Sequence, residues 1–339
     1  MRQVWISRRG GPEVLQVREA PDPEPGPGQV RIAVAAAGVN FADVLARMGL
    51  YPDAPPLPCV VGYEVAGTID RLGPGVEGLA VGQRVAAMTR FGGYSSALVV
   101  PAEQAQPLSE RLTFEQAAAI PVNYLTAWLM LVELGNLRRG DRVLVHAAAG
   151  GVGQAALQIC RLKGAEVLAT ASPSKHERLR QAGAAHCIDY TSQDFAAEVR
   201  RITGGRGVDL VLDAVGGDSF RRSYACLAPL GRLYLFGVSS FAPGQRRSIV
   251  AALRGLWAMP KFAAIPLMNE NRGVMGVNLG HLWSEGARLR AMLGEIVARV
   301  EDGSLQPVVD RTFPFERAGE AHAFLQDRKN FGKVLLTPA

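Results

Sequence analysis

The sequence is poor in the residues that build disulfide frameworks and metal centres. Only four cysteines occur among 339 residues, and they are scattered, with no Cys-x-x-Cys pair (Cys59, Cys160, Cys187, Cys226). Five histidines are also far apart, and no two have the His-x-x-x-His spacing. This pattern predicts neither a disulfide scaffold nor a cysteine- or histidine-rich metal site. Residues 1–9 lack the apolar core of a signal peptide, so we expect a cytoplasmic protein.

Long basic runs are lacking as well, although the formal net charge is +6. Arginine pairs such as Arg246-Arg247 are the longest basic blocks, only five lysines occur, and no basic stretch is interleaved with aromatic residues. These features disfavour nucleic-acid binding, and the small positive excess suits an anionic cofactor. The sequence also has no Gly-x-Ser-x-Gly segment of the kind that carries a hydrolase nucleophile.

No hydrophobic run is long enough and free enough of charge to predict a membrane span. The longest candidate, residues 249–268, contains Arg254, Lys261 and two prolines. Ile249, Leu253 and Trp257 recur every four residues, which predicts a helix packed over the sheet or the cleft. A membrane-surface role of this segment is the alternative.

What is present is a strand, a glycine-rich turn and a helix in direct succession. The apolar run in Arg142–Val145 predicts a buried strand, and the helix that follows Gly153 ends at Gly164. Gly150 and Gly153 match the last two glycines of Gly-x-Gly-x-x-Gly, whereas Ala148 replaces the first. This context predicts a dinucleotide-binding turn, with pyrophosphate at the helix N-terminus. The alternative is a tight turn that binds nothing.

The rest of the chain predicts an α/β protein of two domains. Strands alternate with helices in the middle of the sequence, which is typical of a doubly wound parallel sheet (strands 142–148, 166–171, 186–189, 208–214, 232–237 and 274–279). Short strands between glycine and proline turns fill the first 120 residues and predict a small antiparallel, barrel-like unit. We expect a domain at 123–279, and a second one at 1–122 completed by 280–339.

The loop after the second strand of the parallel sheet predicts which dinucleotide binds. An NAD-type domain places Asp or Glu about 20 residues beyond the glycines, where the carboxylate binds the ribose 2′-hydroxyl. Residues 170–175 contain no acid and instead offer Ser172, Ser174 and Lys175 to a 2′-phosphate. The sequence therefore predicts NADPH rather than NADH. A solvated turn with a surface lysine is the alternative.

Motifs along nearly the whole chain resemble the medium-chain dehydrogenase/reductase superfamily. Its zinc-independent quinone oxidoreductase branch is most similar, especially VAT-1-like proteins. The motifs are Gly38–Asp43, Pro55–Pro58, Val122–Ala127, His146–Gly153, Ala171–His176, Ile188–Tyr190 and Asn330–Leu336. The resemblance implies a GroES-like β-rich catalytic domain formed by both chain ends, a Rossmann domain, NADPH in the cleft and a homodimer.

The resemblance also implies the residues of the site. Asn40 would fix the ribose or orient the electron acceptor, Asp43 would hold its loop, and Tyr51 would hydrogen-bond the acceptor oxygen or pass a proton. The implied cofactor contacts are Asn123, Thr126, Ala149, Gly150, Gly151, Val152, Ser172, Lys175, Tyr190, Phe236, Gly237, Val238 and Asn330. Simpler roles remain for several of them: Asp43 and Asn123 as helix caps, Tyr51 as a packing residue, Gly237 as a turn glycine and Asn330 as a loop residue.

Zinc-dependent members of this superfamily carry a cysteine and a Gly-His-Glu segment, and both are changed here. Asn40 lies in the region of the cysteine, and Tyr63 replaces the histidine. Without a Lewis acid, hydride transfer suits an acceptor that is already electrophilic, such as a quinone or an α,β-unsaturated carbonyl. The sequence thus predicts a zinc-independent NADPH reductase. A lipid- or membrane-associated VAT-1-like protein with little turnover is the alternative function, and a zinc alcohol dehydrogenase is disfavoured.

Overall fold

The computed structural model describes residues 1–245 and 247–338. The described chain divides into two compact units. The first unit contains Met1–Leu125, Gly244–Arg247 (apart from residue 246) and the C-terminal stretch from Gly280. The second unit contains Thr126–Pro243 and Ser248–Leu279.

Sixteen strands are found in the described residues. They are β1 (Arg2–Ile6), β2 (Leu15–Glu19), β3 (Gln29–Val39), β4 (Cys59–Val60), β5 (Glu64–Leu72), β6 (Arg84–Met88), β7 (Ala97–Pro101), β8 (Ala105–Pro107), β9 (Arg142–Val145), β10 (Glu166–Ala171), β11 (His186–Asp189), β12 (Val208–Asp213), β13 (Leu227–Leu235), β14 (Gly273–Gly276), β15 (Val309–Pro314) and β16 (Lys333–Thr337).

Eleven α-helices accompany them in the same part of the chain. They are α1 (Phe41–Met48), α2 (Phe114–Ala118), α3 (Pro121–Trp128), α4 (Gly151–Lys163), α5 (His176–Gln181), α6 (Phe195–Ile202), α7 (Asp218–Ala225), α8 (Ile249–Trp257), α9 (Ala264–Glu270), α10 (Gly286–Glu301) and α11 (Ala318–Gln326). Helix α3 continues as a π-helical turn over Leu129–Glu133.

The first unit is built on a largely antiparallel sheet with the order β15-β16-β3-β5-β6-β8, and β7 also pairs with β3. The last strand, β16, runs antiparallel to β3, so the end of the chain completes the sheet begun near its start. A smaller sheet, β2-β1-β4, lies in the same unit. In β3, the alternating residues Val30, Ile32 and Val34 are buried in the hydrophobic core of the first unit, as their period-two pattern predicts.

The second unit is a parallel six-stranded sheet with the order β11-β10-β9-β12-β13-β14. Counting from β9, this is the 3-2-1-4-5-6 order of a doubly wound nucleotide-binding domain. The strands are apolar on both faces, and Leu144, Leu168 and Val211 are fully buried, as expected for a sheet covered by helices. The predicted α/β fold, with a GroES-like β-rich part and a Rossmann sheet, is confirmed.

Several predicted element bounds change. Strand β9 ends at Val145 because the chain turns at Ala147, which has a left-handed φ of 51°. The fifth strand of the parallel sheet begins at Leu227 instead of Arg232, and the sixth ends at Gly276. The sequence patterns do not predict strands β1 and β2, which pair with each other in antiparallel register, because that pairing leaves no local signal.

The predicted packing of residues 249–268 is wrong. The segment forms α8 and α9, and apart from Phe262, which packs on the core of the second unit, most of its large apolar side chains are not covered: Leu253 is 60% exposed and Trp257 is 91% exposed. The four-residue repeat therefore marks an apolar surface and not a core contact. Within residues 1–245 and 247–338, no helix combines the length and the apolar character that crossing a bilayer requires.

Candidate active site

The glycine-rich turn of the second unit has the backbone geometry of a phosphate-binding turn. Ala147 adopts the left-handed conformation, and the buried Ala148 donates its backbone N–H to the carbonyl of Thr170. A Cβ atom at Gly153 would lie 2.5 Å from the carbonyl oxygen of Ala148, so only glycine allows α4 to approach the strand this closely. Ala148 itself has no positive φ, which explains why alanine is tolerated where the motif has its first glycine.

The four predicted pyrophosphate contacts, Ala149, Gly150, Gly151 and Val152, lie at the start of α4. Gly150 is the N-cap residue and has no side chain to occupy the free N–H groups of the first helical turn. These amides and the positive end of the helix dipole are the groups that bind phosphates in dinucleotide domains. Gly164 ends the same helix in the left-handed conformation, as the sequence predicted.

The second and third strands of this sheet bring the predicted 2′-phosphate residues to one edge. Ala171 pairs with Asp189 in the β10–β11 register, so Ser172 and Tyr190 leave adjacent strands side by side. Ser172 Oγ lies 3.4 Å from Ser174 Oγ, and Lys175 is half-buried at the following turn. The arrangement places two hydroxyls, a phenol and a cation at the carboxyl edge of the sheet, where nucleotides bind.

Sequence reasoning missed one acid at this edge. The Asp189 carboxylate accepts hydrogen bonds from the Thr191 backbone N–H and the Thr191 and Ser192 hydroxyls. The Ser192 hydrogen bond is the main reason that the pKa of Asp189 is lowered, so this carboxylate stays charged. Both carboxylate oxygens of Asp189 thus accept hydrogen bonds from residues 191 and 192 of the loop that follows β11.

The fourth and fifth strands end in two loops that approach each other closely. A Cβ atom at Gly237 would lie 3.0 Å from the carbonyl oxygen of Ala214, and one at Gly216 would lie 3.0 Å from the Cα of Val238. The predicted contacts Phe236, Gly237 and Val238 therefore lie beside residues 214–217, which sequence reasoning missed. The signal that would have found this second loop is the glycine pair Gly216-Gly217 directly after a buried strand.

Asp213, at the end of β12, fixes this second loop through hydrogen bonds to its carboxylate. Its Oδ1 accepts a hydrogen bond from the Val215 N–H at 2.7 Å, and its Oδ2 accepts one from each of the Ser219 and Ser223 hydroxyls at 2.7 Å. The Ser223 hydroxyl is also 2.9 Å from Nε2 of His146, whose pKa is lowered mainly by burial. His146 is thus a neutral core histidine that links the sheet to α7.

In the first unit, the predicted residue Asp43 is completely buried and fixes two backbone segments. Its Oδ2 accepts the Asn40 N–H at 2.8 Å, which is the carboxylate half of a capping box at the start of α1. Its Oδ1 accepts the Gly62 N–H at 3.1 Å, directly before Tyr63. Burial raises the pKa of Asp43 to about 7, although these donors act in the opposite direction. Asp43 both caps the helix and holds the loop.

The side chain of Asn40 lies between two buried charges that sequence reasoning did not single out. Its Oδ1 accepts a hydrogen bond from Lys333 Nζ at 2.7 Å, and its Nδ2 donates to Glu64 Oε1 at 3.0 Å. Lys333 and Glu64 also form a direct ion pair and are 3% and 0% exposed. Lys333 belongs to the motif Asn330–Leu336, and Glu64 directly follows Tyr63. The two residues are 269 positions apart in the sequence, so only the folded chain shows that they form a pair.

Aromatic rings lie around the predicted residue Tyr51. The rings of Tyr51 and Tyr63 meet edge to face with centroids 6.3 Å apart, and Tyr63 packs on Phe91 at 5.1 Å. Tyr63 is buried, and burial is the main cause that raises its pKa. Tyr63, which by the resemblance replaces a metal-binding histidine, is thus a neutral phenol within an aromatic cluster.

The remaining predicted contacts are buried. Asn123 lies inside α3 and donates its Nδ2 to the carbonyl of Ala119 at 3.2 Å. It does not cap the helix, because α3 begins two residues earlier at Pro121. Thr126 follows one turn later on the same helix. Asn330 donates its Nδ2 to the carbonyl of Gly332 at 2.9 Å, just before β16.

The metal-ligating side chains do not converge. Among the residues described, no three His, Cys, Asp or Glu side chains gather as a metal ion requires. By the resemblance, Asn40 lies in the region of one zinc ligand and Tyr63 replaces another, and they present an amide and a phenol. The side chain of Asn40 is already hydrogen-bonded on both sides, by Lys333 Nζ at its Oδ1 and by Glu64 Oε1 at its Nδ2.

Comparison with known proteins places these features in one family. Residues 26–110 match the model of the alcohol dehydrogenase GroES-like domain, and residues 182–336 match that of the zinc-binding dehydrogenase domain. The synaptic vesicle membrane protein VAT-1 homolog of Mus musculus is 42% identical over 304 residues, which covers 89% of this chain and 75% of the mouse protein.

Solved structures agree with the sequence comparison. Quinone oxidoreductase of Escherichia coli, complexed with NADPH, superposes with a TM-score of 0.88 and 31% identity over 100% of both chains. The enoyl reductase CurK gives a TM-score of 0.85 with 31% identity, covering 99% of this chain and 98% of CurK. The chain therefore belongs to the medium-chain dehydrogenase/reductase superfamily of oxidoreductases and is a VAT-1-like member of it.

Proposed function

We propose that this protein is an NADPH-dependent, zinc-independent reductase that transfers a hydride to a quinone or an α,β-unsaturated carbonyl. The observation that carries the proposal is the carboxyl edge of the parallel sheet. There Gly153 permits the close turn at the start of α4, and Ser172 and Tyr190 directly follow two paired strands, with Lys175 three residues after Ser172. The NADPH complex of the similar quinone oxidoreductase supports this choice of cofactor.

The residues of this chain fit the cofactor. The free N–H groups at the start of α4 would hold the pyrophosphate, and Lys175 with Ser172 and Tyr190 would hold a 2′-phosphate. When bound, the nicotinamide supplies the hydride. Asn40 and Tyr51 would orient the reacting groups, and Tyr51 would hydrogen-bond the acceptor oxygen as negative charge develops on it.

The proposed acceptor class follows from the residues at the family's zinc-ligand positions. An amide and a phenol are poor zinc ligands, and the amide of Asn40 is already hydrogen-bonded to Lys333 and Glu64. An unactivated ketone or alcohol needs strong polarisation, whereas a quinone or enone accepts hydride without it. The CurK enoyl reductase and the quinone oxidoreductase are similar structures whose names fit these two acceptors.

The test is an NADPH-oxidation assay on the purified protein with a panel of quinones, enones and simple ketones. We expect turnover with quinones or enones, little with ketones, and no loss of activity after treatment with a chelator. Elemental analysis should find less than about 0.1 zinc per chain. About one zinc per chain, or turnover restricted to alcohols and ketones, would overturn the proposal.

The same proposal includes a homodimer in the cytoplasm. The dimer is what the resemblance implies, and free thiols at all four cysteines suit a reducing compartment. Light scattering coupled to size-exclusion chromatography should give about twice the 36.2 kDa chain mass. A single-chain mass at micromolar concentration would remove the dimer from the proposal without affecting the chemistry.

A second candidate function is binding to a membrane surface, and the exposed helix α8 favours it. Val250, Leu253, Leu256 and Trp257 are each at least 59% exposed, and in α9 Ile265 and Met268 are at least 70% exposed. Arg254 and Lys261 lie among them and are also exposed, which suits anionic lipid headgroups. The name of the similar mouse protein includes a vesicle membrane.

Flotation with phosphatidylserine-containing vesicles tests this second function. We expect the wild type to float with the vesicles and Trp257→Glu to remain in solution. Val81→Glu is the matched control, because Val81 is 61% exposed in the first unit. Equal flotation of both variants and the wild type, or none by any of them, would leave the reductase as the sole function.

A further inference from the structure

The orientation of the Asn40 amide is fixed by its two charged neighbours. Lys333 Nζ carries only donors, so the atom 2.7 Å away must be the amide oxygen. An ionised Glu64 carries only acceptors, so the atom 3.0 Å from its Oε1 must be the amide nitrogen. The usual ambiguity between the oxygen and nitrogen of an asparagine is therefore absent here.

This cluster is held from several sides of the first unit. Glu64 Oε2 accepts the backbone N–H of Val122 at 2.7 Å, next to the predicted contact Asn123. Gly38 leaves the room that Glu64 needs, because a Cβ atom there would lie 2.4 Å from its Oε1. Lys333 joins from β16, close in sequence to Asn330. The buried pair thus links β5 to three segments that each carry or adjoin a predicted site residue.

A buried ion pair is a costly way to stabilise a fold. Removing two charges from water costs several kcal/mol each, and hydrophobic replacements of similar volume are often equally stable or more stable. Lys333 and Glu64 are nevertheless 3% and 0% exposed. The pair therefore needs another reason, and its contacts with the side chain of Asn40 supply one.

The pair also determines what Asn40 can offer a ligand. One hydrogen of its Nδ2 is used by Glu64, and the other faces the Gly38 carbonyl at 3.5 Å. One lone pair of Oδ1 is used by Lys333, which leaves the second lone pair as the main free hydrogen-bonding capacity. Asn40 is therefore an acceptor toward a ligand, and its natural partner is a hydroxyl group and not the negatively charged oxygen of a reduced acceptor.

We propose that Lys333 and Glu64 are positioning residues that lock the Asn40 amide so that its Oδ1 accepts a hydrogen bond from a ligand hydroxyl. Because Asn40 belongs to the nicotinamide end only under the proposed function, this inference rests on that function, with a cofactor ribose hydroxyl as the group bound. Lys333 and Glu64 act through Asn40 and touch no reacting atom themselves.

A double-mutant cycle tests the coupling between Lys333 and Asn40. Lys333→Met should weaken NADPH binding, measured by quenching of intrinsic fluorescence, on the order of tenfold. Asn40→Ala should weaken it to a similar extent, and the double variant should be no worse than Asn40→Ala alone. Lys329→Met is the matched control, since Lys329 forms an exposed pair with Asp327 and should leave binding unchanged.

A second pair of variants separates positioning from stability. Glu64→Gln combined with Lys333→Met removes both buried charges, so its melting temperature should exceed that of Lys333→Met alone, which leaves Glu64 unpaired. NADPH binding should stay weak in the combined variant, because the donor that holds Asn40 Oδ1 is still missing. Lys333→Arg should restore binding in part, since the guanidinium group still donates to Oδ1.

The outcomes distinguish this inference from the proposed function. If Lys333→Met and Asn40→Ala weaken NADPH binding by factors that multiply in the double variant, Lys333 does not act through Asn40 and the inference is wrong. Recovery of NADPH binding together with stability in the combined variant would also overturn it. If the wild type binds NADPH but reduces no quinone or enone, the proposed reaction fails while the coupling in NADPH binding still decides the inference.

Discussion

Tyr94 donates its hydroxyl hydrogen to the Asp43 carboxylate over 2.9 Å, and both side chains are completely buried in the first unit. The same hydroxyl lies 3.1 Å from Nε2 of His322, also buried. If Nε2 of His322 carries the ring hydrogen, it donates to the tyrosine oxygen and the chain of donors runs toward Asp43. Burial lowers the pKa of His322 well below its usual value, which keeps this histidine neutral.

The raised pKa of Asp43 predicts a stability term that depends on pH. Its pKa is about 7 in the folded chain, compared with the ordinary value of 3.8. The folded state therefore binds the proton more tightly, so this term is full below about pH 4 and is lost as the pH rises through 7. Between pH 5.5 and 8 it should reduce the free energy of unfolding by about 2 kcal/mol.

The comparison with Asp43→Asn isolates this term, because the amide introduced there cannot titrate while the buried histidines are unchanged. The wild type should be more stable than the variant by an amount that shrinks as the pH rises, measured by urea unfolding at each pH. Asp327→Asn is the control, since hydrogen bonds from Gln245 and Lys329 lower the pKa of that exposed carboxylate and keep it charged throughout. A constant gap between wild type and Asp43→Asn would show that Asp43 is ionised at all of these pH values.

The close approach of α4 to β9 makes a prediction about two helical glycines. Gly153→Ala would place a Cβ atom within 2.6 Å of three backbone atoms of Ala148, which cannot move independently of the sheet. We expect a loss of stability of about 2–3 kcal/mol or more, together with weaker NADPH binding. Gly294→Ala lies in α10 with its nearest neighbour atom at 3.9 Å and should stabilise the protein by about 0.5–1 kcal/mol. Thermal unfolding of both variants tests the contrast, which equal effects would contradict.

Local patterns in the sequence were sufficient to predict the parallel sheet. Strands β10 and β11 have the predicted bounds, because short apolar runs between helical stretches are local signals. The exposed face of α8 shows the limit of the same method. A four-residue apolar repeat looks the same whether the helix packs on its own protein or on an external surface. The sequence analysis therefore predicted packing within the protein, which is the commoner of the two.

The sequence allowed site residues to be proposed where motifs are local, and it gave no sign of contacts that join distant segments. Ser172 and Lys175 follow a strand directly, and counting from the glycines located them. Lys333 and Tyr94 join Asn40 and Asp43 across 293 and 51 residues, and no spacing rule connects such pairs. A lysine in an apolar strand is the one signal that was available, because an unpaired ammonium group is rarely buried.

Tyr51 should affect the chemical step more than substrate binding. If its hydroxyl contacts the acceptor oxygen as charge develops, Tyr51→Phe keeps the edge-to-face packing on Tyr63 but loses a hydrogen bond made mainly in the transition state. We expect kcat to fall on the order of tenfold or more while KM changes less than about threefold. Tyr234→Phe is the control, a buried tyrosine in β13 whose loss should leave both constants unchanged. An unchanged kcat in Tyr51→Phe would limit Tyr51 to packing.

Cofactor preference should depend on Lys175. Ser172 and Tyr190 leave adjacent strands at the carboxyl edge of the sheet, and Lys175 follows within three residues of Ser172, so a 2′-phosphate bound there would receive at least one charge-assisted hydrogen bond. Losing that bond should raise the Kd for NADPH on the order of ten- to a hundredfold in Lys175→Ala, while the Kd for NADH, which has no 2′-phosphate, should hardly change. Lys163→Ala is the matched control, because Lys163 ends α4 at the opposite edge of the same sheet and its substitution removes the same single positive charge.

Both dissociation constants can be measured by fluorescence at two salt concentrations, and the loss of NADPH affinity caused by Lys175→Ala should be smaller at high salt because free ions screen the contact. Wild-type protein that binds NADH as tightly as NADPH would refute the assignment of this edge to a 2′-phosphate, whatever the variants do.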